Sequence, residues 1–153
     1  AARSVIQGLI DLKLSEITII SRNKESLNNL ITNFKNDIKI EGLLDTDIKV
    51  DNMIQKTDLI VNTTPVGMSK KPNYDELPFG QNFWNNLNSN TIVYDLIYNP
   101  SPTPLLKFCD KKGCLTIDGI QMLIAQGAKS LSFWTNGLEV PFDVMHDSIK
   151  KYL

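Results

Sequence analysis

Thr91-Ile-Val-Tyr-Asp-Leu-Ile-Tyr98 decides the fold. It carries the strongest strand signal in the chain, and Asn99-Pro-Ser-Pro102 stops it with turn chemistry. Beyond the prolines, Thr103 to Lys112 reads as a helix and Cys114-Leu-Thr-Ile117 as a short strand. A long helix from about 119 to 134 and an amphipathic helix from about 141 to 152 close the chain. Upstream, Asp58-Leu-Ile-Val-Asn62 is another strand, leading into the loop Thr63-Thr-Pro-Val-Gly-Met68. Residues 69 to 90 are polar and Asn-rich, with a helical turn or two near Phe83-Trp84.

The first third repeats the alternation. Residues 1 to 13 read as a helix whose apolar face is Val5, Ile6, Leu9, Ile10 and Leu12, with no N-cap before Ala1. Ile17-Thr-Ile-Ile20 is a β-branched strand, followed by a helix over roughly 24 to 36. Ile38 to Leu44 reads as a strand and 50 to 56 as a short helix. Strands alternating with helices predict an α/β fold: a Rossmann-like parallel sheet with flanking helices and ligands at the carboxyl ends of the strands.

Composition narrows the function. At 153 residues the length is that of one domain. A net charge of -1 argues against a nucleic-acid partner, and no apolar run approaches a membrane span. No signal peptide opens the sequence, so the expected compartment is cytoplasmic. Cys109 and Cys114 are expected to be reduced and structural. With His146 as the only histidine, no metal site is expected.

The residues at the strand ends carry the chemistry. In a dinucleotide-binding unit, an acid after the second strand binds the ribose 2′-hydroxyl, whereas an arginine accommodates a 2′-phosphate. Here the strand ends in Ser21-Arg22-Asn23-Lys24, with no acid before Glu25. Arg22 can fork onto phosphate oxygens, and Lys24 adds a second charge. That pattern favours NADP over NAD; the bland alternative is an exposed basic helix start. Asn62, Thr63 and Thr64 offer an amide and hydroxyls suited to a cofactor's ribose and phosphates, or else simply cap a turn. Tyr98 could point its phenol into a cleft, or sit at the sheet rim. In Asp118-Gly-Ile-Gln-Met-Leu-Ile-Ala-Gln126, Gly119 permits close backbone approach, while Met122 and Gln126 share a helical face. An apolar surface and an amide one turn apart suit an aromatic cofactor beside a polyhydroxylated substrate; a core helix with a hydrogen-bonded Gln is the alternative.

Assembled in order, these segments closely resemble the C-terminal, NADP-binding half of the shikimate dehydrogenases. The resemblance rests on Ala1-Ala-Arg-Ser4, Ser21-Arg-Asn23, Val61-Asn-Thr-Thr-Pro-Val-Gly-Met68, Tyr94-Asp-Leu-Ile-Tyr-Asn-Pro100 with Thr103-Pro-Leu-Leu106, and Asp118 through Trp134. It covers almost the whole chain. It implies reversible hydride transfer between NADPH and 3-dehydroshikimate, giving shikimate, a step of chorismate and aromatic amino-acid biosynthesis. Ala1 would border the cofactor as the tail of a Gly-rich loop. Ser21, Arg22, Asn23 and Lys24 would bind the 2′-phosphate, and Asn62, Thr63 and Thr64 would line the cofactor groove. Leu96, Gly119 and Met122 would meet the nicotinamide, while Tyr98 and Gln126 would reach the substrate.

The sequence departs from the family pattern at Ser21, Asn23 and Ser26, where the family has Asn, Thr and, in some members, a second Arg. The Gly-rich loop, the first strand and the N-terminal substrate domain with its catalytic Lys-Asp pair are absent from these residues. The resemblance therefore implies an incomplete NADP-binding domain over 1–153. A fragment of this kind is expected to be poorly stable and inactive alone, with its missing N-terminal domain as a partner. If a central strand is missing, the strands at 17–20 and 58–62 should not pair with each other. Two other readings stay open: a non-catalytic nucleotide-binding remnant, and a quinate/shikimate dehydrogenase using NAD.

Overall fold

The computed structural model describes residues 1–34, 38–149 and 151. They form a parallel α/β arrangement that divides into two compact units, Ala1–Lys56 with Asn82–Asn86, and Thr57–Gln81 with Leu87–Leu153.

The first unit is built on two strands. Helix α1 (Ala2–Asp11) precedes β1 (Glu16–Ser21), α2 (Lys24–Thr32) and β2 (Lys39–Leu44). β1 and β2 run parallel, in register from Glu16 opposite Lys39 to Ser21 opposite Leu44. Parallel neighbours need a crossover, and α2 supplies it. Ile6, Ile17 and Phe34 form the buried cluster, with Leu9, Ile10, Ile19, Leu30, Ile38 and Ile40 packed against it. Burying each such side chain contributes about 2 kcal/mol. Gly42 on β2 lies directly beneath Leu27 and Ile31 of α2, so a side chain there would displace those two side chains. Leu12, expected on the apolar face of α1, is instead 72% exposed, because the helix ends before it. The helix expected over 24–36 ends at Thr32, where Asn33 and Phe34 turn back onto the carbonyls of Leu30 and Ile31; 35–36 lie outside the described residues. The helix expected at 50–56 is α3 (Lys49–Met53) continued by a 3-10 turn at Ile54–Lys56.

Three parallel strands organise the second unit: β3 (Leu59–Asn62), β4 (Ile92–Asp95) and β5 (Leu115–Ile117), in the order β3-β4-β5. Helix α4 (Gln81–Asn85) lies between β3 and β4 in sequence but belongs, from Asn82 on, to the first unit. Helix α5 (Pro104–Lys111) covers β4 and β5, burying Leu105, Leu106 and Cys109. Helix α6 (Ile120–Trp134) buries Ile124, and α7 (Phe142–Ile149) packs along α6, with Met145 against Gly127. The strand expected over 91–98 stops at Asp95. Leu96 still donates its N–H to the Asn62 carbonyl, but Ile97 donates to the Asp95 side chain rather than to a neighbouring strand. The side chain at the last ladder position thus ends the ladder. The helix expected to begin near 141 ends at Ile149; residues 150 and 152 lie outside the described ones.

Among the described residues β1 pairs only with β2, and β3 only with β4. No helix of the described residues is long and apolar enough to cross a membrane.

Candidate functional site

The turn after β1 is a small, self-contained device. The Asn23 N–H donates to Ser21 Oγ at 3.2 Å, and the Ser21 hydroxyl donates to the Asn23 carbonyl at 3.3 Å. Asn23 also caps α2, its Oδ1 accepting from the Ser26 N–H at 2.8 Å. Ser21 and Asn23 are therefore occupied in shaping the turn. Arg22 and Lys24 are both exposed and, among the described residues, neither has a hydrogen-bond or ion-pair partner. Two uncommitted cations stand where the helix N-terminus already carries partial positive charge, which favours an anion there. Ala1 is exposed and caps α1 through its main chain alone, with the Val5 N–H donating to its carbonyl at 3.1 Å.

In the second unit the carboxyl ends of the parallel strands lie side by side. Asn62 and Asp95 are register partners, and Tyr94 faces Ile117. Asp95 has no exposed surface. Its Oδ1 accepts from Asn62 Nδ2 at 2.9 Å and from the Ile97 N–H at 3.1 Å; its Oδ2 accepts from Thr103 Oγ1 at 2.7 Å. Asn62 Oδ1 in turn accepts the Thr64 N–H and hydroxyl, at 3.0 and 2.8 Å. Thr103 caps α5, its Oγ1 accepting the Leu106 N–H at 3.2 Å. Burial pushes the Asp95 carboxyl above its ordinary range, and the donors from Thr103, Ile97 and Asn62 pull it back in part.

The start of α6 closes on the same strand end. Gly119 donates its N–H to the Ile97 carbonyl at 3.1 Å and lies against Leu96. A Cβ at Gly119 would overlap the Leu96 carbonyl, while φ of -78° is ordinary for any residue. Glycine is needed there for close approach rather than for a turn that only glycine can make. Asp118 holds the entrance, accepting from the Ile120 N–H at 3.1 Å and the Ser101 hydroxyl at 2.7 Å. Burial, then the Asp118 charge, holds the Tyr94 phenol above the usual tyrosine range.

The candidate positions of this unit fall into three groups. Asn62, Thr64 and Leu96 are joined by hydrogen bonds, with Thr63 half-buried between the first two and Gly119 bonded to Ile97 and packed against Leu96. Met122, half-buried, and Gln126, exposed, follow one and two turns along α6. Tyr98, 37% exposed, lines a cavity of about 180 Å³ with Met68, Ser69, Lys70 and Asn99. The Asn62 amide is buried and committed to Asp95 and Thr64. Sequence reasoning gave no role to Asp95 or Thr103. The available signal was an acid inside an apolar strand, with a Thr-Pro helix start eight residues on.

The two thiols take no part. Cys109 and Cys114 are free and buried, and burial pushes Cys109 up to about 12. Burial raises Cys114 as well.

Known proteins resemble the chain in both sequence and structure. The family described as Shikimate 5′-dehydrogenase C-terminal domain matches residues 119–150. A protein named shikimate dehydrogenase (NADP(+)) from Prochlorococcus marinus subsp. pastoris is 78% identical over 153 residues, covering 100% of this chain and 54% of that protein. The chain spans about half the length of the curated relatives it matches. The crystal structure of shikimate 5-dehydrogenase from Listeria monocytogenes, in complex with shikimate and NAD, aligns with a TM-score of 0.76 at 28% identity, covering 88% of this chain and 47% of that one. A shikimate dehydrogenase solved in complex with NADP+ aligns with a TM-score of 0.70 at 33% identity, over 90% and 46% of the two chains. Over its whole length, then, the chain is similar to part of proteins named shikimate dehydrogenase (NADP(+)), and its residues 119–150 match their C-terminal domain family.

Proposed function

We propose that this chain is the cofactor-binding portion of an NADP-dependent shikimate dehydrogenase, interconverting 3-dehydroshikimate and shikimate in the cytoplasm. The observation that carries the cofactor choice is the pair of uncommitted cations, Arg22 and Lys24, at the end of β1 with no acid before Glu25. A 2′-phosphate satisfies both; a free 2′-hydroxyl satisfies neither. This favours NADP over the NAD reading.

NADP supplies the hydride chemistry when bound. The chain's own residues bind and orient. Arg22 would clamp the 2′-phosphate, on a turn stiffened by Ser21 and Asn23, with Lys24 adding charge. Ala1 would border the cofactor. Thr63 and Thr64 would face its ribose and phosphates, with Asn62 holding their loop through Asp95. Backbone at Leu96 and Gly119, brought together by the close approach that glycine allows, would meet the nicotinamide, and Met122 would extend that surface. Tyr98 and Gln126, the more exposed members, would hydrogen-bond the substrate. Residues 1–153 thus act as an incomplete NADP-binding domain. Proton transfer would come from the substrate domain of the whole enzyme, which is its intramolecular partner.

Joining the chain in frame behind the N-terminal portion of its Prochlorococcus relative tests the reading. The fusion should oxidise shikimate with NADP+, and the chain alone should not. A folded fusion without NADP+-dependent oxidation of shikimate, beside an active full-length relative, would contradict it.

A further inference from the structure

Three segments that bear candidate cofactor positions converge on one side chain. The loop after β3 carries Thr63 and Thr64, and it is fixed by Asn62 Oδ1. The segment after β4 carries Leu96, and its next N–H, that of Ile97, is held by Asp95 Oδ1. The start of α6 carries Gly119, whose N–H is received by the carbonyl of that same Ile97. Asp95 binds the first segment through Asn62 Nδ2, the second directly, and the third through Ile97. On its far side Thr103 fixes the remaining oxygen and starts α5.

A residue serving only the core would not be a carboxylate here. The position is fully buried at the end of a central strand, beside Val93 and Ile97, where an aliphatic side chain would serve the packing without desolvating a charge. Among the described residues no cation pairs with it. What a carboxylate offers is two acceptor oxygens and no donor, so it can collect donors from several segments at once. Asparagine has the same shape but only one acceptor oxygen, and would leave one of those donors without its partner.

We propose that Asp95 is a positioning residue: its buried carboxylate holds the loop after β3, the segment after β4 and the start of α6 in one register, so that Thr64, Leu96 and Gly119 meet the cofactor together. The cofactor part of this proposal rests on the reading of the chain as an NADP-binding portion. The coupling part does not.

The test acts from the side of the network that touches no candidate cofactor position. Thr103→Val removes the donor to Asp95 Oδ2, whereas Thr103→Ser keeps it. Amide hydrogen exchange is measured across the chain, and NADP+ affinity by calorimetric titration. In Thr103→Val, exchange at Thr64, Val66, Ile97 and Gly119 should accelerate by about tenfold, beyond the change at β5 amides, and NADP+ affinity should fall by a similar factor. Thr103→Ser should restore both. Acceleration confined to the first turn of α5, or equal at all protected amides, would overturn the proposal. So would a faster-exchanging Thr64 segment with NADP+ affinity unchanged. If wild-type chain binds no NADP+, the cofactor reading fails and the positioning of a cofactor fails with it, while the exchange pattern still decides whether Asp95 couples the three segments.

Discussion

At Asp95 a carboxyl group with no exposed surface meets three donors, and burial outweighs them. Its folded-state pKa lies above the ordinary carboxyl value of 3.8, so between that value and the folded one the native state binds more protons than the unfolded state. Stability linked to this group is therefore complete below 3.8 and declines as pH rises through the folded value. Asp95→Asn removes the titration. The stability advantage of wild type over Asp95→Asn, from urea unfolding at a series of pH values, should shrink as pH rises above the ordinary carboxylate range. An advantage that grows with pH would show that the donors dominate instead. Residues differ in how far sequence reveals them. The placement of Arg22 was readable because it is local, a cation directly after a strand. Asp95 was not, because its partner Asn62 is 33 positions away and only the β3–β4 register brings them together.

At the scale of elements, β-branched runs announced the strands, while the caps that start α2 and α5, Asn23 and Thr103, emerged from the structure. The ends were harder to place. β4 stops at Asp95 because a side chain captures the Ile97 N–H, a competition between side chain and ladder that apolar patterning does not show. The start of α6 was readable as a glycine beside a helix, but the reason for the glycine was not: it is the Leu96 carbonyl, brought there by the packing of α6 on the end of β4. Backbone on both sides leaves no flexible group to yield. Gly119→Ala should therefore cost about 3 kcal/mol in urea unfolding, whereas Gly8→Ala, with open space around it, should be neutral or stabilising. Equal effects at the two glycines would remove the argument for close approach.

For the molecule as a whole, the described residues form two units, each with its own parallel sheet and its own cluster of candidate residues. Exposed cations define the cluster at the end of β1; a buried carboxylate organises the one at the ends of β3 and β4. The parallel α/β class was readable from the alternation of strands and helices. The division into two units was not, since it depends on which strands find partners. The proposed function requires that this chain select a 2′-phosphate through Arg22. Titration calorimetry of NADP+ and NAD+ into the wild-type chain and Arg22→Ala tests it most directly. Charge-assisted hydrogen bonds predict that wild type prefers NADP+ by about tenfold or more, and that Arg22→Ala loses most of that preference while NAD+ affinity holds. A preference that survives Arg22→Ala, or equal affinities in the wild type, would contradict the account.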